Sequence, residues 1–170
     1  MKPMYLLGLF LLLSACATMP PELAGVAESP SLDEVAAQPE SFRGRRIRWG
    51  GTIIEVSNEA DATFLQILAK PLDRTGRPEE DATPQGRFLM RTEQFLDPAI
   101  YLREREITVV GTGAGIAERQ IGKRSVKLPL LEAERWHLWP KRERTPVYYP
   151  YWWYYPYPMY YRYGWPYWWW

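Results

Sequence analysis

The chain has one cysteine, Cys16, and it stands directly behind Leu13-Ser14-Ala15. Those residues close a segment that opens with Lys2 and runs through ten mostly apolar residues, Met4 to Leu13. A thiol in this setting suits one chemistry. The small residues Ser14 and Ala15 admit a signal peptidase, the thiolate form of Cys16 is nucleophilic enough to take a diacylglyceryl group, and cleavage before it frees an amine that can be acylated. The sequence therefore predicts a bacterial lipoprotein signal over residues 1–15 and lipidation at Cys16. The apolar run is too short to span a bilayer, which takes roughly 20 residues. Each buried methylene contributes about 0.8 kcal/mol, so one acyl chain holds marginally whereas two or three hold almost permanently. With a single cysteine, no disulfide can form within the chain.

The remaining residue types with chemical potential do not assemble into a catalytic pattern. His137 is the only histidine, so no metal cluster can be built around it, and a general-base role lacks a nucleophile and an orienting acid. Flanked by Trp136 and Trp139, it reads as a packed or interfacial ring. Asp61, Asp73, Asp81 and Asp97 fall in turns, where aspartate bonds nearby backbone, and form no paired-carboxylate motif. Gly111-Thr112-Gly113-Ala114-Gly115 follows a strand pattern, but no helix opens behind it as a dinucleotide fingerprint requires. It reads as a glycine-rich hairpin loop. Arg43, Arg45, Arg46 and Arg48 could meet lipid phosphates, although Glu40 and Glu55 lie close and favour a solvated strand face. No enzymatic activity, cofactor or metal is expected; a hydrolase would need a site that these residues do not supply.

Of the 21 basic residues only Lys2 falls within residues 1–15, and no acid does, so the mature chain carries 20 of each sign and is formally neutral. No basic field exists to attract nucleic acid. The charge is spread, but the aromatic residues are not. Residues 146–170 hold ten tyrosines and six tryptophans among twenty-five positions, interrupted by Pro146, Pro150, Pro156, Pro158 and Pro166. Proline fixes φ and removes donors, so an extended or irregular conformation is expected there. Flat apolar rings with polar tips suit a membrane–water interface, and they also suit the C–H faces of sugars. The candidate interaction surface is Trp152, Trp153, Tyr154, Tyr155, Trp165, Trp168, Trp169 and Trp170. Its expected uses are lying in the headgroup region, gripping peptidoglycan or lipopolysaccharide glycan, or self-association; folding back over the neighbouring domain is the alternative.

Stepping inward from both ends leaves about 110 residues able to bury a core of their own. Residues 16–30 are small and proline-punctuated, as in a flexible tether with little order. Ser31-Leu32-Asp33-Glu34 forms a capping box, which predicts a short helix from Leu32 to about Gln38, stopped by Pro39. From Arg45 the period becomes two. Ile47 and Trp49 share one parity while Ile54 and Val56 have the other, so a bulge is expected at Gly50-Gly51 within one long bent strand. Further strands are predicted over Thr63–Ala69, Arg87–Thr92, Glu106–Thr112 and about Ser125–Trp139, with a loop over Lys70–Gln85 and a helical turn at Phe95–Leu102 opened by Pro98. Pro129 must lie at an edge or bulge of the last strand. Three strands, a short helical element and two strands is the order of an OB-fold, a small five-stranded Greek-key barrel; an open antiparallel sheet or a sandwich of the same strands is the rival. The fold class is thus mainly all-β, over residues 31–140, with the aromatic tail at 141–170.

Several of these segments resemble the Slp family of outer-membrane lipoproteins. They are Arg48-Trp49-Gly50-Gly51, Pro71-Leu72-Asp73 with Gly76-Arg77-Pro78, Gly86-Arg87-Phe88, Phe95-Leu96-Asp97-Pro98, Val109-Val110-Gly111-Thr112 and Trp136-His137-Leu138-Trp139. The resemblance spans about residues 31–140 plus the signal. It implies an outer-membrane location and a non-enzymatic envelope role, and it brings no catalytic residues. Ala17 agrees by similarity to sorted lipoproteins, since aspartate at that position favours inner-membrane retention. The expected partners are the membrane, through the lipid anchor, and a glycan or an envelope protein. The expected placement is the periplasmic face of the outer membrane.

Overall fold

The computed structural model describes residues 18–26 and 29–143. Five strands, β1 (Arg46–Asn58), β2 (Thr63–Lys70), β3 (Gly86–Thr92), β4 (Glu106–Ile121) and β5 (Arg124–Leu138), close into a barrel in the order β1-β2-β3-β5-β4, with β4 paired back onto β1. Neighbours are antiparallel except β3 and β5, which run parallel from Leu89↔Leu130 to Arg91↔Glu132. This is the OB-type Greek-key barrel that the strand pattern predicts.

Alternate residues of each strand point inward, and the core they form contains Ile47, Trp49, Ile53, Leu65, Ile67, Phe88, Met90, Ile107, Val109 and Leu131. A short helix, α1 (Leu32–Ala37), adds Leu32 and Val35 to this core. Its capping box forms as the sequence predicts: Ser31 Oγ accepts from the Glu34 amide at 3.2 Å, and Glu34 Oε2 accepts from the Ser31 amide at 2.7 Å. These bonds hold the Glu34 carboxyl below the usual range. Trp49 meets Phe88 edge to face, with centroids 5.3 Å apart.

The expected bulge is real but lies elsewhere. Ile47, Trp49 and Ile53 keep one parity through both glycines, and the register shifts between Ile53 and Glu55, which brings Val56 to the core side. Gly50 and Gly51 serve close approach instead, since a Cβ on Gly51 would sit 1.9 Å from the Leu68 carbonyl oxygen. The Gly111–Gly115 segment is not a hairpin loop. It lies inside β4, which continues to Ile121, and the turn falls at Gly122-Lys123. Gly115, at φ +94°, occupies a register shift there, a conformation that glycine tolerates. The residues around Pro98 make a single turn, with Tyr101 N–H donating to Asp97 O at 2.9 Å, and do not extend to a helix. Pro129 precedes Leu130, where pairing with β3 begins, so it lies outside that ladder.

The largest departure is at the N-terminus. Residues 18–26 do not behave as a loose tether: Leu23 is fully buried and Val26 nearly so, packed with Val110 and Trp139 on the outside of the barrel. The aromatic segment 146–170 and Cys16 lie outside the described residues.

Candidate functional site

The N-terminal segment is held as a strap. Pro20 and Pro21 pre-set a single 3-10 turn, Pro21–Leu23, closed by Leu23 N–H donating to Pro20 O at 2.9 Å. That turn aims Leu23 into the seat between Val110 and Trp139. The strap's backbone is fastened from β1 and β5: Arg48 Nη1 donates to Leu23 O at 3.0 Å, and Arg135 Nη2 to Ala24 O at 3.2 Å. Farther along, the Arg48 amide donates to Ser29 Oγ at 2.8 Å and Trp49 Nε1 to Pro30 O at 2.8 Å. His137 Nδ1 lies 2.6 Å from Glu22 Oε1, and its ring meets Trp139 edge to face with centroids 4.4 Å apart. The bond to His137 holds the Glu22 carboxyl below the usual carboxylate range. His137 is thus a packing and strap-holding ring, as its aromatic neighbours suggest.

The C-terminal end of the barrel arrives at the same loop. Asp73 organises that loop by accepting from the amides of Thr75 and Arg77 at 2.8 and 3.0 Å and from the Thr75 hydroxyl at 2.6 Å. Burial pushes the Asp73 carboxyl up, but these bonds outweigh it and the net shift is downward. Met19 packs beside Gly76 of this loop, within 3.5 Å of the position a Cβ would take there. On the other side, the Thr108 hydroxyl donates to Gly76 O at 2.6 Å and accepts from Trp139 Nε1 at 2.9 Å. Arg77 bonds Glu106 at 2.7 Å and Pro140 O at 2.8 Å, while Arg142 bonds Glu106 at 3.0 Å and Pro78 O at 2.7 Å. The two ends of the described chain therefore meet at Gly76–Pro78.

A second feature lies on the outer face of β2. Phe64 and Gln66 alternate with the core residues Leu65 and Ile67 and so face outward, yet Gln66 is only 7% exposed. The β4–β5 hairpin covers this face. Arg119 stacks over the Phe64 ring, 4.1 Å from its centroid, and bonds Glu59 at 2.9 Å. Between hairpin and barrel lies a cleft of about 270 Å³ lined by Glu55, Ser57, Phe64, Gln66, Leu89, Glu118, Arg119 and Gln120. Gln66 Nε2 is buried there without a hydrogen-bond partner. Sequence reasoning missed this site because it ended β4 at Thr112, nine residues short of the strand's end at Ile121. The outward parity of Phe64 and Gln66 was the available signal.

The four arginines before the barrel bend separate. Arg43 bonds Glu40 at 3.0 Å, Arg46 pairs with Glu134, Arg45 stacks on Phe42, and Arg48 holds the strap. Among the described residues no group of three or more His, Cys, Asp or Glu side chains is placed to hold a metal, and no helix is long and apolar enough to cross a membrane.

The described residues thus form an OB-type barrel carrying an N-terminal strap. The chain belongs to the outer membrane lipoprotein Slp family, whose model matches residues 13–170 and so extends past the 31–140 span of the quoted motifs into the aromatic segment. It is similar to the outer membrane protein Slp of Escherichia coli K12, 32% identical over 154 residues that cover 89% of this chain and 81% of that one. It is also similar to the uncharacterized lipoprotein YeaY of the same organism, 33% identical over 133 residues, covering 75% and 68%. Among solved structures, a small single-stranded DNA-binding protein from Streptomyces coelicolor matches with a TM-score of 0.34 at 9% identity, over 56% of this chain and 94% of that one. The ligand in that name belongs to that protein.

Proposed function

We propose that the protein is held on the periplasmic face of the outer membrane by lipid at Cys16 and acts there as a structural or interaction component of the envelope, without catalysis. The observation that carries this reading is the meeting of both ends of the described chain at Gly76–Pro78. Met19, which is docked, lies three positions beyond Cys16, a reach of about 10 Å at ~3.3–3.6 Å per residue. The anchor therefore holds this end of the barrel near the lipid surface. Rings of the kind found at Trp152, Trp153, Tyr154, Tyr155, Trp165, Trp168, Trp169 and Trp170 favour residence in the headgroup region, which supports the same reading.

Fractionation of cells expressing Cys16→Ser, with and without residues 146–170, tests this. The substituted protein should become soluble or remain an uncleaved precursor. If it still fractionates with outer membrane and leaves it only on loss of the tail, the tail rather than the lipid is the anchor and the proposal fails. A second reading, glycan binding through the barrel face and tail, is favoured by the cleft beside Gln66.

A further inference from the structure

The cleft under the β4–β5 hairpin has the makings of a ligand site in its own right. Gln66 sits there with its amide nitrogen buried and unpartnered. Native proteins satisfy the large majority of such groups, because leaving one unsatisfied incurs the desolvation penalty of that group. Of the two such nitrogens among the described residues, Gln66 Nε2 and Arg105 Nε, that of Gln66 belongs to the wall of this cleft, where an acceptor atom of a ligand would match it.

The other lining groups narrow the ligand's chemistry. The side chains of Glu55, Ser57 and Gln120 have no hydrogen-bond partner among the described residues, and that of Glu118 receives one long bond, 3.4 Å from Ser125 Oγ. Arg119 is the one cation of the lining, and it is already engaged by Glu59 and the Phe64 ring. The cleft therefore carries an excess of carboxylate, which disfavours phosphates and other anions. A polyamine would suit the carboxylates but offers no acceptor for the Gln66 N–H. The occupant must both donate, to Glu55 and Glu118, and accept, from Gln66, while presenting apolar surface to Phe64 and Leu89. Hydroxyl groups on a ring with C–H faces meet all three requirements. The volume, about 270 Å³, lies near the lower end of the ~300–1,000 Å³ usual for small-ligand sites.

We propose that this cleft binds a neutral, hydroxyl-rich saccharide, with Gln66 donating, Glu55 and Glu118 accepting, and Phe64 and Leu89 forming the apolar wall. The assignment rests on the glycan-binding reading and gives that reading a location on the barrel, independent of the aromatic tail.

The test uses the full mature lipoprotein in detergent micelles. The probes are an N-acetylglucosamine trimer and maltotriose, with spermidine, inorganic phosphate and tetra-alanine as competitors, and the readout is saturation-transfer NMR followed by calorimetry. At least one glycan should bind saturably and outcompete the other three. Gln66→Met should weaken that binding tenfold or more while the melting temperature stays level or rises, because an unpartnered buried amide is removed. Glu55→Gln, at an exposed position that the fold does not depend on, should weaken binding several-fold and serves if Gln66→Met folds poorly. Glycan binding that survives both substitutions overturns the cleft assignment and leaves glycan binding to another surface. Absence of saturable glycan binding up to about 10 mM, tenfold looser than a ~1 mM affinity, overturns both. Preference for spermidine, phosphate or the peptide overturns the saccharide assignment.

Discussion

Leu23→Ala should unlatch the strap and leave the barrel intact. Leu23 is fully buried among Val26, Val110, Trp139 and Met19, and truncating a buried leucine to alanine costs about 2–5 kcal/mol. The seat is on the outside of the barrel, where neighbouring side chains can settle into the gap, so the lower part of that range, about 2–3 kcal/mol, applies. Outside this seat the strap is fastened by side-chain bonds from Arg48, Arg135 and His137 and belongs to no strand of the barrel, so the loss falls on its local opening rather than on global unfolding. At ~1.4 kcal/mol per factor of ten, amide exchange at Leu23 and Ala24, whose N–H groups bond Pro20 O and Pro21 O, should accelerate roughly 30- to 150-fold. The amides of Ile107 and Val109 in β4 should be unchanged. Native-state hydrogen exchange on the full mature chain measures both. Equal acceleration at the β4 amides would show that strap and barrel open as one unit, and no acceleration anywhere would show that the strap is not held by Leu23; either result refutes the reasoning.

Two other perturbations follow from particular contacts. Gly51→Ala would drive a Cβ to 1.9 Å from the Leu68 carbonyl oxygen, so β1 and β2 must separate; the loss should reach or exceed the upper end of the ~1–3 kcal/mol typical of overpacking, seen as a lowered thermal midpoint. The Glu22 carboxyl is held below its usual 4.5 by His137. A depressed carboxyl contributes its stability above the unfolded value and loses it as pH falls through the folded one. Strap amides should therefore exchange progressively faster below about pH 4.5, after correction for intrinsic rates, and Glu22→Gln should abolish that pH dependence.

The strand alternation of Ile47, Trp49, Leu65, Ile67, Phe88 and Met90, and the Ser31–Glu34 capping box, were readable because they are local: each follows from period or from a four-residue hydrogen-bond pattern. The bulge was misplaced because Gly50-Gly51 offered a familiar reason for a flip, whereas their role, close approach of β1 to Leu68, depends on a neighbouring strand. Gly113 and Gly115 hid the length of β4 in the same way. Glycines in a strand read as a turn until the partner strand is known. The strap was illegible for another reason. Residues 18–26 contain too few apolar positions to show periodicity, and Leu23 becomes a core residue only because Val110 and Trp139 make a seat for it on the barrel's outer face. The cleft was half legible, in the outward parity of Phe64 and Gln66, but its other wall required the hairpin.

The strap also fixes an order of assembly. Glu22 and His137 are 115 residues apart in sequence, and the closure entropy of so long a loop is recovered only after other contacts have brought its ends together. The seat for Leu23 is built from β4 and from Trp139, just past the end of β5. It does not exist until the last strand has joined the barrel. The segment that precedes the barrel in sequence is therefore the last to find its place, and until it docks the stripe formed by Val110 and Trp139 stands uncovered.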